Sequence, residues 1–415
     1  MRLEGLRAKG VQPDDVDAVE RALQAHLCRC TGWRTIVEAY AVVDEPTLGA
    51  RVARRDLDAA GRRATLEGGA PQVAGPAVAR GRGGFAADTV PPGALVAVPD
   101  DQGGWAVGES LAEARQRSGK VQGRRTTADS VPPLDRPEGD WAVTLRTSWV
   151  EPAYLETDAS WCEPGGEPVT PLANGGAFGA KLTSSAPAAA RRLADELGRT
   201  VAVLLSREDV VRLGPKRPPV AAGIRADGTG IVRVMRTEGI GQRIRSMAPG
   251  LEVVEVDGVG PPTSAAARGA GWVEAAVLLA ALAPAADPVI VTAPSGGRAT
   301  ASVGPEGRVQ VEVVAGAPLD EVVLRSYSLG AAHMAMGWVT SEALSVDAAG
   351  EIHDLTIRSF GVLRAVDTPL VDVVVVPSDG EPVNGSDAVF AAVAAAVWRH
   401  QGLPESWPTG IPLRP

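Results

Sequence analysis

Glycine and proline interrupt this chain at short intervals along almost its whole length, with 48 glycines and 33 prolines among 415 residues. An average protein has about 12 per cent of the two together, against about a fifth here. Glycine does not recur at every third position, which excludes a collagen-like helix. We therefore expect short helices and strands joined by many turns. Either the tight turns carry function, or a larger fold has been shortened close to its connections.

Charge and cysteine content exclude several classes of protein. The formal net charge of −9 and the pI near 5.2 argue against nucleic-acid binding, which needs clustered basic charge. Three cysteines are too few for a disulfide-stabilised scaffold. The sequence has no apolar run long enough to span a membrane and no apolar signal segment. These observations predict a soluble, cytoplasmic protein without a membrane or nucleic-acid partner.

The spacing of apolar residues predicts alternating helices and strands, and hence an α+β fold. Asp14 or Asp15 can cap a first helix, in which apolar residues recur from Val16 to Leu27, and a second helix is predicted over 33–43. Further helical segments are predicted over 53–63, 109–120, 186–197, 270–285 and 388–400. Strands are predicted over 94–98, 105–107, 141–150, 201–205, 309–314, 343–346, 355–357 and 371–376.

Two cysteines one residue apart, Cys28 and Cys30, are placed on the turn between the first two helices. Thiolates this close can bind one soft metal centre, although such a pair taken alone is more often incidental. The longer string HLCRCTGWRTIVEA, from His26 to Ala39, is more specific. It resembles the second cysteine pair of the 2Fe–2S domain in the xanthine dehydrogenase and aldehyde oxidase family, the molybdenum hydroxylases. Trp33 stands where that family has an aromatic residue.

The same family has a second cysteine pair at the head of the preceding helix, and its position here falls just before Met1. A 2Fe–2S cluster needs four cysteine ligands, so Cys28 and Cys30 supply only two of them. Either Met1 is an internal start, or the cluster domain is truncated. Cys162 is expected to be a small buried hydrophobe, and His333 a core histidine.

A glycine-rich string, LANGGAFGAK from Leu172 to Lys181, is the second motif. As a bare glycine-rich loop it is weak evidence, and a plain turn is the favoured interpretation. It resembles Gly-Gly-Gly-Phe-Gly-Gly-Lys, a loop beside the molybdenum centre in the same family. The resemblance predicts five cofactor-binding residues in this loop: Gly175, Gly176, Ala177, Phe178 and Gly179.

A third match is ARGAGW, from Ala267 to Trp272. It resembles the family's Arg-Gly-Phe-Gly segment, whose arginine lies near the active centre, and it predicts that Arg268 and Gly269 bind the cofactor. Without the resemblance, Arg268 would be interpreted as a solvated arginine at a helix start. Upstream, Val150 and Glu151 resemble the family's Val-Glu-His segment, with Pro152 in place of the histidine.

The last match is the stretch from Asn384 to Ala388, which precedes an alanine-rich helix. The family has Gly-x-Gly-Glu there, and its glutamate is the base that activates metal-bound water. Asp387 is the nearest carboxylate in this chain, which makes it the candidate catalytic base. Asp387 as a helix N-cap is the competing interpretation, because aspartate is a favoured cap.

The resemblance implies a short helical 2Fe–2S-type segment followed by abbreviated mixed α/β molybdopterin-binding domains. The expected boundaries are 1–49 for a partial cluster-binding segment, 50–139 for a linker and reduced α/β domain, and 140–415 for the catalytic part. The implied function is a hydroxylase component that acts on a purine, an N-heterocycle or an aldehyde. Its cofactors would be molybdenum–molybdopterin and a 2Fe–2S cluster, with FAD and further iron–sulfur groups on partner subunits. The alternative is a non-catalytic relative that serves a full-length hydroxylase as a structural or assembly partner.

Overall fold

A computed structural model of the chain describes residues 2–24, 32–47, 49, 54–119, 130–151, 157–169, 184–284, 287–353, 355, 357 and 359–413. Helices and strands alternate through these ranges, and the expected mixed α+β class is confirmed. None of the described helices has both the length and the apolar character needed to cross a bilayer.

The helices in chain order are α1 (Arg2–Arg7), α2 (Val16–Leu23), α3 (Gly32–Ala41), α4 (Leu57–Gly68), α5 (Pro76–Ala79), α6 (Leu111–Arg117), α7 (Ala186–Leu197), α8 (Arg207–Leu213), α9 (Ile240–Met247), α10 (Trp272–Ala280), α11 (Glu321–Thr340) and α12 (Ser386–His400). The strands are β1 (Leu95–Pro99), β2 (Trp105–Gly108), β3 (Val143–Thr147), β4 (Ala159–Cys162), β5 (Val201–Leu204), β6 (Val220–Ile224), β7 (Gly230–Met235), β8 (Leu251–Val256), β9 (Val289–Thr292), β10 (Arg298–Val303), β11 (Val309–Val314), β12 (Val371–Val375) and β13 (Ser406–Trp407). Short 3₁₀ turns, including one at Ala267–Gly269, connect some of them.

The described strands form three sheets of mixed direction. Their strand orders are β2-β1-β5-β4, β12-β11-β10-β9 and β13-β3-β6-β7-β8. Helix α7 packs on β4 and β5 of the first sheet, and α9 packs on β8 of the third. Helix α12 lies across β9, β10 and β11 of the second sheet and also packs against α10 and α11. It is therefore the element around which the largest core is assembled.

Helices α11 and α12 are buried along most of their length because their sequences are apolar on nearly every face. Alanine is the commonest residue of α12, and α11 carries small residues at Gly330–Ala332, Ala335 and Gly337, so the backbones can approach closely with little side-chain entropy to lose. Larger rings fill the remaining space: Trp338 of α11 stacks on Phe390 of α12 with ring centroids 5.2 Å apart. The start of α12 is thereby fixed relative to the rest of the core.

The sequence predicted some elements closely and missed others. The helix predicted over 186–197 and the strand predicted over 309–314 have those bounds. The strand predicted over 343–346 is wrong: its backbone amides bond to separate segments, with Leu344 donating to Trp149 and Ala343 to Phe360. Helix α11 was not predicted, because it lacks the one-sided apolar pattern on which sequence reasoning depends. The three domain boundaries remain predictions.

Helix α4 replaces the charged helical turn that was predicted over 53–63, and it is anchored through a buried ion pair. Arg63 and Glu67 lie one turn apart, with both side chains fully buried and 3.1 Å between Nη1 and Oε1. The Arg63 guanidinium also donates hydrogen bonds of 2.6 to 3.3 Å to the backbone carbonyls of Pro318, Val383, Ala315 and Ala317. Arg63 thus ties α4 to the segments that precede α11 and α12.

Replacing Arg63 by methionine is expected to lower the free energy of unfolding by about 3–5 kcal/mol, because Glu67 then stays buried without its cation. Urea unfolding of the purified chain measures the loss. Arg62 is an exposed neighbour on the same helix, so Arg62→Met is the matched control, with an expected change of about 0.5 kcal/mol or less. Equal losses in the two variants would contradict this account of how α4 is anchored.

Candidate functional site

The turn before α10 holds Arg268 in an unusual backbone conformation. Arg268 has φ 43° and ψ 48°, and Gly269 and Gly271 follow with φ 67° and 91°. A residue with a Cβ in this left-handed region costs about 1–3 kcal/mol, so surrounding contacts have to maintain it. A Cβ added at Gly269 would meet the Trp272 ring at 2.4 Å, which explains why glycine is needed there.

A buried ion pair maintains this turn. Arg217 donates from Nη1 to the carbonyls of Ala267 and Arg268, at 3.2 and 3.1 Å, and from Nε to Glu274 at 2.6 Å. The other oxygen of Glu274 accepts from the Gly271 amide at 2.7 Å. The strained turn is therefore held by two buried side chains of opposite charge.

The Arg268 side chain points into the core, where it joins three helices. Its Nη1 donates to Ser386 Oγ at 2.9 Å and to Asp387 Oδ1 at 3.1 Å, and its Nη2 lies 3.8 Å from Met334 Sδ. Burial lowers the pKa of the Arg268 guanidinium, and the Asp387 carboxylate opposes that change. The interpretation of Arg268 as a solvated arginine is wrong, since only 1% of the residue is exposed.

Asp387 is the second residue of α12, and its side chain is 24% exposed. Its interpretation as the helix N-cap is wrong: Gly385 holds that position, and the Asp387 amide donates to the Asn384 side chain at 2.9 Å. Asparagine takes over the capping bond because its side chain reaches back over the first turn. Asp387 is left free to pair with Arg268.

A second carboxylate, Glu67 of α4, lies at the same helix start. It accepts hydrogen bonds from the Gly385 amide at 3.1 and 3.2 Å and from the Ser386 amide at 2.9 Å. Burial raises the pKa of the Glu67 carboxyl, while the bonds from Ser386 and Gly385 and the charge of Arg63 oppose the rise.

Behind Arg268 lies a small closed cavity of about 10 Å³, lined by Glu151, Arg217, Arg268 and Glu342 and by the apolar side chains of Val150, Met334, Trp338 and Phe390. A water molecule needs about this much space. Glu151 forms a second buried ion pair there, with Lys216 at 2.9 Å. The interior beside Arg268 is thus dense and charged.

Neither a family model nor a curated protein matches the sequence, but solved structures resemble the fold. The aldehyde oxidoreductase from Desulfovibrio gigas has a TM-score of 0.60 at 12% identity, over 96% of this chain and 85% of that chain. The chain has the aldehyde oxidoreductase fold. Quinoline 2-oxidoreductase from Pseudomonas putida 86 has a TM-score of 0.49 at 9% identity, over 80% of this chain and 95% of that chain. The likeness to the Desulfovibrio gigas protein, taken by itself, confirms the predicted resemblance at the level of the fold.

Within the aldehyde oxidoreductase fold, the predicted site residues divide into two sets. Arg268, Gly269 and Asp387 are brought together by α10 and α12. The remaining predicted residues, Cys28, Cys30, Gly175, Gly176, Ala177, Phe178 and Gly179, lie outside the described residues. Cys162 is buried at the end of β4 as expected, and burial raises the pKa of its thiol.

Sequence reasoning missed the buried partners of the site: Glu67, Arg217 and Glu274. Arg63 and Glu67 have the four-residue spacing of a helical ion pair, which was a usable signal for α4. Nothing in the sequence pairs Glu67 with Ser386, because 319 positions separate them.

A molybdopterin does not fit the cavity beside Arg268, because ligand sites of this kind have volumes of about 300–1,000 Å³ against about 10 Å³ here. The described residues include no group of three or more histidine, cysteine, aspartate or glutamate side chains that could hold a metal ion. Among the residues joined to Arg268, Asp387 is the one that solvent reaches. Any ligand of this group would therefore meet Asp387 from outside the core.

The raised pKa of Glu67 predicts a pH-dependent contribution to stability. The unfolded chain releases this proton near its usual value of 4.5, whereas the folded protein releases it at a higher pH. The stabilisation is therefore complete below about pH 4.5 and is lost as the pH rises through the folded-state pKa. Glu67→Gln cannot titrate, so the unfolding free energy of the wild type minus that of the variant should fall with rising pH. Denaturant titrations at about pH 4, 6 and 8 measure this difference, and a constant difference would refute the prediction.

Proposed function

We propose that this chain is a component of an oxidoreductase of the molybdenum-hydroxylase type, acting on a purine, an N-heterocycle or an aldehyde. The observation that carries the proposal is the pairing of Arg268 with Asp387 at the start of α12, within an aldehyde oxidoreductase fold. Both residues belong to motifs that resemble that family, although they are 119 positions apart in the chain.

In this proposal Asp387 accepts a proton at Oδ2 from water or substrate, and Arg268 holds the other oxygen. The Arg268–Asp387 contact fixes the direction of the carboxylate, while the exposed part of Asp387 stays open to a ligand. Ser386 and Glu67 hold Arg268 from inside the core. Fixed geometry matters here, because a displacement of about 1 Å in a catalytic group can cost on the order of 100-fold in rate.

The redox groups are further parts of the proposal. Molybdenum–molybdopterin, if bound, would supply the two-electron oxidation, and the resemblance assigns its binding to Gly175, Gly176, Ala177, Phe178 and Gly179 together with Arg268 and Gly269. Cys28 and Cys30 would contribute two of the four ligands of a 2Fe–2S cluster, and FAD would lie on a partner subunit. Trp33 of α3, three positions after Cys30, makes an edge contact with His333 of α11 at 6.1 Å between ring centroids. We also propose a cytoplasmic location, in keeping with the low cysteine content.

A non-catalytic role is the second candidate function, and a specific observation favours it. The family's glutamate has no counterpart here, and Asp387, the nearest carboxylate, is one methylene shorter and already pairs with Arg268. The cavity behind this pair has no space for a cofactor. A chain with such a site could serve as a structural or assembly partner of a full-length hydroxylase.

If the catalytic proposal holds, Asp387→Asn should lower turnover on the order of 10²- to 10⁴-fold, because an amide cannot accept the proton. The assay uses benzaldehyde and quinoline as substrates with a redox dye as electron acceptor. Asp372→Asn is the matched control, since that carboxylate pairs with Arg308 on the surface, and its turnover should equal that of the wild type. Full turnover by Asp387→Asn with unchanged molybdenum content would overturn the assignment.

Metal analysis separates the two candidate functions. The catalytic component should be purified with molybdenum and iron from a host that makes the cofactor. The assembly partner should lack both metals and co-elute with a larger molybdenum-containing subunit. Turnover by this chain alone would exclude the non-catalytic role.

A further inference from the structure

The carboxylate of Glu67, from helix α4, lies at the N-terminus of α12. A bound anion is commonly found at this position of a helix. The amides at a helix N-terminus are positive and point outward, so they attract phosphate or carboxylate groups. Here the amides of Gly385 and Ser386 both donate to Glu67, which is itself fully buried. The chain therefore fills this anion position with its own side chain.

Hydrogen-bond chemistry fixes the directions in this cluster. A guanidinium can only donate, so Arg268 Nη1 donates to Ser386 Oγ at 2.9 Å. Glu67 accepts from the backbone amide of the same serine at 2.9 Å. The donors to Glu67 among the described residues are thus Arg63 and the amides of Gly385 and Ser386.

We infer that Glu67 is a positioning residue of the candidate site, acting on Arg268 through Ser386 and thereby on Asp387. Glu67 holds the backbone of Ser386 through its amide, the Ser386 hydroxyl accepts from Arg268, and Arg268 in turn pairs with Asp387. The importance of this chain of contacts for catalysis rests on the proposed function. The contacts themselves can be tested without turnover.

Hydrogen exchange of the purified full-length chain tests the inference. In Glu67→Ala, the amides of Gly385 and Ser386 should exchange about tenfold faster or more, as expected for the loss of a charge-assisted hydrogen bond. The peptide that covers Ala267–Gly269 should also exchange faster, because Arg268 loses its fixed partner. A residue that merely caps α12 would change the first peptide and leave the second at its wild-type rate.

Chemical rescue gives a second readout, in which a role confined to capping α12 would leave the Ala267–Gly269 peptide unaffected by the added anion. Sodium formate supplies a small carboxylate that can take the position vacated in Glu67→Ala, between the Gly385 and Ser386 amides and Arg63. It should slow exchange in both peptides and raise the thermal midpoint of Glu67→Ala, relative to sodium chloride at equal ionic strength. Leu66→Ala, on the same helix and 36% exposed in the wild type, is the matched control and should show no formate effect.

A second variant covers the case in which Glu67→Ala does not fold. Glu67→Gln keeps the volume of the side chain but places an amide nitrogen among donors, so both peptides should still exchange faster. If the Ala267–Gly269 peptide keeps its wild-type rate in the folded variants, the inference is overturned, whether or not the chain is active. If exchange becomes faster in both peptides and the wild-type protein shows no turnover, the catalytic proposal fails while the positioning role of Glu67 stands.

Discussion

The buried charges at the start of α12 have to be matched by opposite charges and donors, and much of the structure follows from that requirement. An ion taken out of water is costly unless partners surround it. Glu67 meets this condition with Arg63, the helix amides and Ser386, which lie on segments far apart in the chain. Helix α4 therefore cannot be separated from the α12 start without leaving a buried charge unmatched. The same contacts locate Arg268, and with it the strained turn before α10.

The apolar core around these charges strengthens the interactions between them. Helices α11 and α12 are buried along most of their length, and the cavity beside Arg268 has space for about one water molecule. In such surroundings each ion pair acts at close range and in low dielectric. Arg217, which lies 4.4 Å from the centre of the Trp338 ring, combines aromatic contact with its bond to Glu274. Rigidity at the site thus comes from packing and from charge together.

Features of the fold and site could be predicted from the sequence where the interacting residues are close together in the chain, and not where they are far apart. Helix α7 was predicted with its bounds because its end is signalled locally, by Gly198 in the left-handed conformation. Arg268 and Asp387 were found through short motifs. Their pairing, the burial of Arg268 and the role of Asn384 as the capping side chain required the tertiary structure. Glu67 was missed because its partners at Gly385 and Ser386 are more than 300 positions away, and no local pattern encodes such a contact.

The internal carboxylate also bears on the choice between the two candidate functions. A site that binds an anionic cofactor at a helix start needs free amides and free positive charge there. In this chain the Gly385 and Ser386 amides donate to Glu67, and Arg268 pairs with Asp387, so these donors already have anionic partners among the described residues. Under the catalytic proposal, chemistry at this position takes place on the exposed side of Asp387. Among the described residues joined to Arg268, Asp387 is therefore the carboxylate to which the proposal assigns catalysis. A helix start occupied by Glu67 is equally suited to a protein that keeps the fold without turnover.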